Sequence, residues 1–261
     1  MPKAPSKTAL ITGASFGIGT ELARIFAREG YNLVLVARTA DKLRQIASEL
    51  EKAHGTRSLI LATDLTDPGS PAYVIDQTTR ADIQVDVLVN NAGFGQYGFF
   101  AENDLEECLR QIQLNVTTLT HLTRLYLPGM IERKDGGVLN VASTAAFQPG
   151  PLMAVYFATK SYVLLFSEAL ANELNGTGVS VTCLCPGATA TEFHKRANAT
   201  GMRLLKFGSM DAHTVAEDGY RALMAGKPVV ISGFKNWLLA QSVRFSPRRL
   251  VTAIARKTQE E

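Results

Sequence analysis

Short apolar runs and longer amphipathic ones alternate along this chain, and that alternation predicts its architecture. Thr8 to Ile11, Asn32 to Ala37, Ser58 to Ala62, Asp86 to Asn90, Val138 to Ala142, Val179 to Leu184 and Pro228 to Ser232 are near-continuous Val/Leu/Ile segments. Runs of four to eight such residues bounded by turn formers read as buried strands. Between them lie helical patterns. One follows Gly19 through Ala27 to Gly30, a second covers residues 40–54 with Gly55 as its C-terminal cap, and a third covers residues 104–133. Others lead from Ala154 through the apolar run Tyr162 to Leu174 and from about Asp211 to Ala225. Strand, helix and strand in repetition predict an α/β fold, a single-domain Rossmann-type doubly wound parallel sheet with helices on both faces. One domain is expected over residues 1–261. Residues 188–210 lack a clear period and are expected to act as a substrate lid.

Composition narrows the partners. The 261 residues are 46% hydrophobic and 20% charged, with a net charge of +3. That balance suits a globular α/β domain and is too small for a nucleic-acid footprint, so no nucleic acid is expected. The three cysteines, Cys108, Cys183 and Cys185, are odd in number and lack metal-ligand spacing, so reduced thiols and no metal are expected. Neither a signal-peptide stretch nor a run of about 18 apolar residues is seen, and the expected location is cytoplasmic. The tail from Lys235 carries six cations against Glu260 and Glu261, a net +4, interleaved with Trp237, Leu238, Leu239, Leu250, Val251 and Ile254. Such a pattern suits a membrane-surface helix, but Pro247 interrupts it. The tail is therefore expected to pack on protein, with no stable membrane anchor.

Two stretches carry chemistry. Thr12-Gly13-Ala14-Ser15-Phe16-Gly17-Ile18-Gly19 joins the first strand to the first helix. Glycines allow positive φ and close backbone approach there, and the helix N-terminus attracts phosphate. At the end of the second strand, where an acid would hold ribose hydroxyls, stand Ala37, Arg38 and Thr39. A guanidinium suits a 2′-phosphate, which implies NADP(H). The second stretch runs from Ser143 to Lys160. Tyr156 and Lys160 are one helical turn apart, and Ser143 ends a strand at the edge where ligands gather in such sheets. A lysine beside a phenol is expected to lower its pKa from about 10 toward the working range of a general acid/base. Asn115, polar among Leu114, Val116, Leu119 and Leu122, is expected to brace Lys160 directly or through water.

Together these residues resemble the short-chain dehydrogenase/reductase family. The match consists of Thr12-Gly13-x-x-x-Gly17-x-Gly19, Asp64, Asn90-Asn91-Ala92-Gly93, Asn115, Ser143, Tyr156-x-x-x-Lys160 and Pro186-Gly187-x-x-x-Thr191, in order along the chain. The glycine spacing is that of the simple reductases. By this resemblance Asn115, Ser143, Tyr156 and Lys160 form the catalytic tetrad, Asp64 holds adenine, Asn91 and Gly93 line the cofactor, and Thr191 binds the carboxamide. The implied cofactor-binding set is Gly13, Ser15, Phe16, Gly17, Ile18, Gly19, Arg38, Thr39, Asp64, Leu65, Asn91, Ala92, Gly93, Tyr156, Lys160, Pro186, Gly187 and Thr191. The implied function is hydride transfer between NADP(H) and a small-molecule carbonyl or alcohol substrate, in a homodimer or homotetramer. Phe94, Tyr97, Phe99, Phe100, Phe147, Leu152 and Met153 flank the tetrad and suggest an apolar substrate, while His194, Lys195, Arg196, Arg203 and Lys206 are placed to meet an anionic one. Two alternatives stand beside this reading: a non-catalytic NADP(H)-sensing binding module and a membrane-associated lipid ketone reductase.

Overall fold

The computed structural model describes residues 7–193, 197 and 208–260. Its centre is a sheet of seven parallel strands in the order β3-β2-β1-β4-β5-β6-β7. The strands are β1 (Thr8–Thr12), β2 (Asn32–Ala37), β3 (Ser58–Ala62), β4 (Val87–Asn90), β5 (Gly136–Val141), β6 (Val179–Cys185) and β7 (Val229–Ile231). Strand order reverses between β1 and β4. In an open parallel sheet this switch point leaves a crevice at the carboxyl edge, where ligands bind.

Helices cover both faces, as the repeating pattern requires. On one side α1 (Gly17–Arg28) and α2 (Ala40–His54) bury Leu22, Phe26, Leu43 and Ile46, joined by Val215 and Leu223 of a later helix, Ala212–Met224. On the other, α3 (Ser70–Arg80) contributes Val74, and Leu122, Tyr126 and Met130 of the chain's longest helical stretch complete the layer. Gly55 closes α2 at φ 69°, the left-handed conformation expected of it.

That long stretch differs from the single regular helix expected over residues 104–133. It comprises α4 (Leu105–Ile112), a π-helical segment Gln113–Thr118 and α5 (Leu119–Arg133). The inserted wide turn contains Asn115, and such π segments inside α-helices frequently mark functional sites. A buried polar line fixes the neighbouring strands. Asn90 donates to Asn140 at 2.9 Å and to Thr123 at 3.0 Å, and Asn140 donates to Ser167 at 2.9 Å. Buried amides need such partners, and these join β4 and β5 to the helices on that face beside the site.

After β6 come α6's successors in the chain: α6 itself is Ala154–Glu173, followed by α7 (Ala212–Met224), α8 (Phe234–Ser242) and α9 (Arg248–Gln259). Pro247 does interrupt the tail, but as the residue that starts α9 and not as the end of its helicity. Ala240, Val251, Ala255 and Gln259 are buried against the domain, as expected of a packed tail. Its other face keeps Phe234, Leu238, Phe245 and Leu250 exposed. Among the described residues no helix is long and apolar enough to cross a membrane.

Candidate active site

A cavity of about 1520 Å³ opens along the carboxyl edge of the sheet. Sites for one small molecule span roughly 300–1,000 Å³, so this one has room for two bound side by side.

The glycine turn floors one end. Gly13 and Gly17 have φ of 66° and 56°, which other residues adopt with strain. A side chain on Gly13 would lie 2.8 Å from the Asn91 amide, and one on Gly19 would collide with the Gly13 carbonyl oxygen. Asn91 donates to the carbonyls of Thr12 and Gly13 at 2.9 and 3.2 Å, so β4 holds the turn's backbone in place. The result is a bare-backbone cradle at the N-terminus of α1, whose geometry fits a pyrophosphate. Gly19 lies behind this surface and does not line the cavity.

Arg38 and Thr39 line the wall at the end of β2, both exposed. Asp64 follows β3. Burial works to raise its carboxyl, but hydrogen bonds from the Thr66 backbone and hydroxyl, with the charges of Arg38 and Arg110, outweigh it and hold the pKa below the usual value. Arg110 of α4 lies 3.4 Å from Asp64 and joins this wall together with Glu107 and Thr66. Sequence reasoning missed all three. Nothing in the spacing of α4 distinguishes Arg110 from an ordinary surface cation; only the packing of α4 beside β3's exit brings it in.

At the other end stand Ser143, Tyr156 and Lys160, brought together from the end of β5 and the first turns of α6. Lys160 is buried and donates to the Val141 carbonyl at 2.7 Å, with its ammonium 5.8 Å from the Tyr156 ring centre. Burial lowers its pKa to about 8, with the thiols of Cys183 and Cys185 acting the other way. Tyr156 keeps part of its ring accessible, yet burial pushes its phenol up to about 12 against the opposing hydrogen bond with Ser143. Burial, and not the lysine, dominates the position of the phenol. Desolvation disfavours charge on both groups.

Asn115 makes no direct bond to Lys160. Its amide donates to the Phe94 carbonyl at 2.9 Å and to Thr159 at 3.1 Å, and its oxygen accepts from the Phe94 backbone at 3.2 Å. It braces the loop after β4 and the helix of Lys160. Gly93 sits between them, since a side chain there would lie 3.0 Å from the Asn115 oxygen and 3.4 Å from the Lys160 nitrogen. Asn115 itself does not line the cavity.

The remaining cofactor candidates Ser15, Phe16, Ile18, Leu65, Ala92, Pro186, Gly187 and Thr191 all line it. Thr191 approaches the glycine turn, its methyl 2.7 Å from where a Gly17 side chain would start. Phe94, Phe147 and Met153 border the tyrosine end. Tyr97 packs in one apolar cluster with Tyr156 and Met153, whereas Phe99 and Phe100 are exposed. Leu152 holds φ at 68°, uncommon for leucine, with its carbonyl accepting from Gly98 at 2.9 Å. His194, Lys195, Arg196, Arg203, Lys206 and most of the expected lid lie outside the described residues.

The tail supplies what the sequence left open. Asn236 of α8 donates to Ser232 at 2.7 Å and abuts Gly187, and Leu239, Val243, Val251, Ile254 and Gln259 line the tyrosine end of the cavity. Val251, Ile254, Ala255 and Thr258 recur at helical spacing, so the stripe was visible, but not the surface it covers.

Residues 7–201 match the model of the short chain dehydrogenase family. This chain belongs to that family. Among its relatives, the very-long-chain 3-oxoacyl-CoA reductase of Bos taurus is 35% identical over 192 residues, 72% of this chain and 61% of the relative. The matched stretch thus spans only 60–61% of such curated relatives. Two solved structures are similar over more of their length. A short-chain dehydrogenase from Sphingobium yanoikuyae in complex with NADPH is 34% identical with a TM-score of 0.81, covering 92% of this chain and 94% of that one. The bulky-bulky ketone specific alcohol dehydrogenase from Comamonas testosteroni is 30% identical with a TM-score of 0.77, covering 92% of both chains.

Proposed function

We propose that this chain is an NADP(H)-dependent oxidoreductase that interconverts the ketone and alcohol of a bulky, largely apolar substrate. The single observation that carries this reading is one continuous cavity with the glycine cradle and Arg38 at one end and Ser143, Tyr156 and Lys160 at the other. Relatives named for NADPH complexes, 3-oxoacyl-CoA reduction and bulky ketones support both the cofactor and the substrate class.

When bound, the nicotinamide supplies or accepts hydride. The protein's part is to bind, orient and move a proton. Gly13, Ser15, Gly17 and Ile18 would hold the pyrophosphate, Arg38 the 2′-phosphate by charge-assisted hydrogen bonds, and Asp64 and Leu65 the adenine side. Thr191 would hold the carboxamide. Ser143 would orient the substrate oxygen, and Tyr156 would give it a proton from its hydroxyl. A phenol with a pKa of about 12 is fully protonated at neutral pH, the form needed for reduction. Lys160, with a pKa of about 8, remains charged there and stabilises the phenolate left behind. Asn115 positions the Phe94 loop and α6. The apolar groups left exposed on α4 and α6, Leu105, Leu109, Ile112 and Leu165, suit contact with a second copy of the chain and support a homodimer or homotetramer.

The test is a panel of aliphatic, aryl and bulky ketones monitored by NADPH absorbance, alongside direct NADPH binding. Oxidation of NADPH with bulky apolar ketones is expected. Tight binding with no oxidation across the panel would favour the binding-module alternative.

A further inference from the structure

From Phe234 to Gln259 the chain holds six cations, Lys235, Arg244, Arg248, Arg249, Arg256 and Lys257, and no acidic residue. All six are exposed, and among the described residues Arg256 alone of them has an ion-pair partner, Glu260 at 3.0 Å. The inner side of the two tail helices, with Ala240 on α8 and Val251 and Ala255 on α9, is buried against the domain. The outer side is apolar as well. Phe234, Trp237 and Leu238 recur at helical spacing on α8, all exposed, with the two rings stacked at 5.9 Å between centres. Phe245, in the turn between the helices, is 89% exposed, and Leu250 and Ile254, one turn apart on α9, are exposed too. Large apolar groups gathered on a surface in this way mark a face that meets something other than water.

Charge decides what that is. A second copy docked about a twofold axis would set the patch against itself, six cations facing six, and like-charge repulsion opposes such a contact. A bilayer bearing anionic lipids answers both features at once: the boundary between headgroups and acyl chains takes up the aromatic and leucine side chains, and the phosphates meet the lysine and arginines. The face also borders the cavity. Phe234, Leu239 and Ile254 are exposed and line it at the same time, as does Lys235, so the outer face and the cavity share a rim.

We propose that α8 and α9 dock this face reversibly on an anionic lipid bilayer, and that an apolar ketone dissolved in the lipid enters the cavity over the shared rim. The contact is peripheral. Ala240, Val251 and Ala255 keep the tail on the domain, and a single apolar face with surface cations binds lipid without anchoring the chain in it. Docking stands on the face alone; only the entry of a ketone rests on the proposed function.

Trp237 is the chain's single tryptophan, so its emission reports this face. The full chain is titrated with vesicles of phosphatidylcholine and with vesicles of phosphatidylcholine and phosphatidylglycerol in equal parts. Salt is set at about 0.1 M and then about 1 M, which shortens the screening length from about 10 to 3 Å. The anionic vesicles are expected to shift the emission to the blue at low salt, with quenching by brominated acyl chains, and to lose most of the binding at high salt. A cation near such a surface strengthens binding about fivefold, so Arg248→Gln with Arg249→Gln should weaken it roughly 25-fold. Leu238→Ser with Phe245→Ser should weaken it by about tenfold or more. None of these four residues lines the cavity, so both variants should reduce a water-soluble ketone as the wild type does, while turnover of a long-chain ketone held in the anionic vesicles should fall with the binding. No binding by the wild type, or binding that neither pair of substitutions weakens, would overturn the docking. So would a blue shift that grows with protein concentration in the absence of vesicles, which would place a second copy on the face. Lipid-held ketone turned over equally by wild type and variants refutes the entry route. Docking without turnover of any ketone refutes the reductase and leaves the docking intact, whereas turnover of soluble ketone without docking refutes this inference alone.

Discussion

The two ends of the cavity are built by different means. The cofactor end is made of backbone and short loops at the tips of β1 to β4, where the Asn91 side-chain amide holds the carbonyls of Thr12 and Gly13. The substrate end is assembled from distant pieces: the loop after β4, the segment between β5 and α6, and the tail helices α8 and α9. Where backbone forms the wall, sequence is constrained to a few residue types; where side chains from a tail form it, many sequences serve. The same scaffold can thus keep one cofactor while its tail selects the substrate.

The strongest way to break this division is at Tyr156, the proposed proton donor between the ends. Tyr156→Phe keeps the ring packing with Phe157 and Phe193. It should lower kcat by about 10²- to 10⁴-fold while the Kd for NADPH, by fluorescence titration, stays nearly constant. Retention of most activity would remove Tyr156 from the chemistry.

Arg38→Ala probes the cofactor end alone. A hydrogen bond to a charged group contributes about 1.5–3 kcal/mol, so the preference for NADPH over NADH should be roughly 10- to 100-fold and should largely vanish in the variant. The ketone's KM should not follow. An unchanged cofactor ratio would make Arg38 a solvated surface residue.

Ending the chain at Ser246 probes the other end. Loss of α9 removes Val251, Ile254 and Gln259 from the wall, so KM for a bulky ketone should rise by about tenfold with NADPH affinity little altered. A parallel loss of cofactor affinity would show that the ends are not separable.

The smallest effect is in pH. Lys160 is lowered to about 8, so its charge is present below that pH and lost above it. With Tyr156 protonated up to about 12, reduction should be level through neutral pH and fall to about half its plateau near pH 8. Lys160→Met should abolish this limb. A rate that keeps rising through pH 9 would contradict the assignment.

The division also governs what could be read from residues alone. The strands, the parallel sheet and the glycine turn were legible because buried strands and a phosphate cradle each demand a narrow choice of residues. Ser143, Tyr156 and Lys160 were legible by spacing. The π segment at Asn115 was not, because the apolar period of α4 and α5 continues on either side of it. Arg110 and Gln259 were not either, since a helix pattern shows which residues share a face and not what that face meets. The elevated phenol of Tyr156 follows from burial, a property of the fold around it, and not from its neighbour four residues on.

The central claim is that both ends work on one reaction, and the direct measurement is NADPH oxidation by the full chain with bulky ketones, performed beside a binding titration of NADPH on the same preparation. The account predicts saturable NADPH binding together with ketone-dependent oxidation that Tyr156→Phe loses. Saturable binding with no oxidation by any ketone, in either the wild type or the variant, would contradict it.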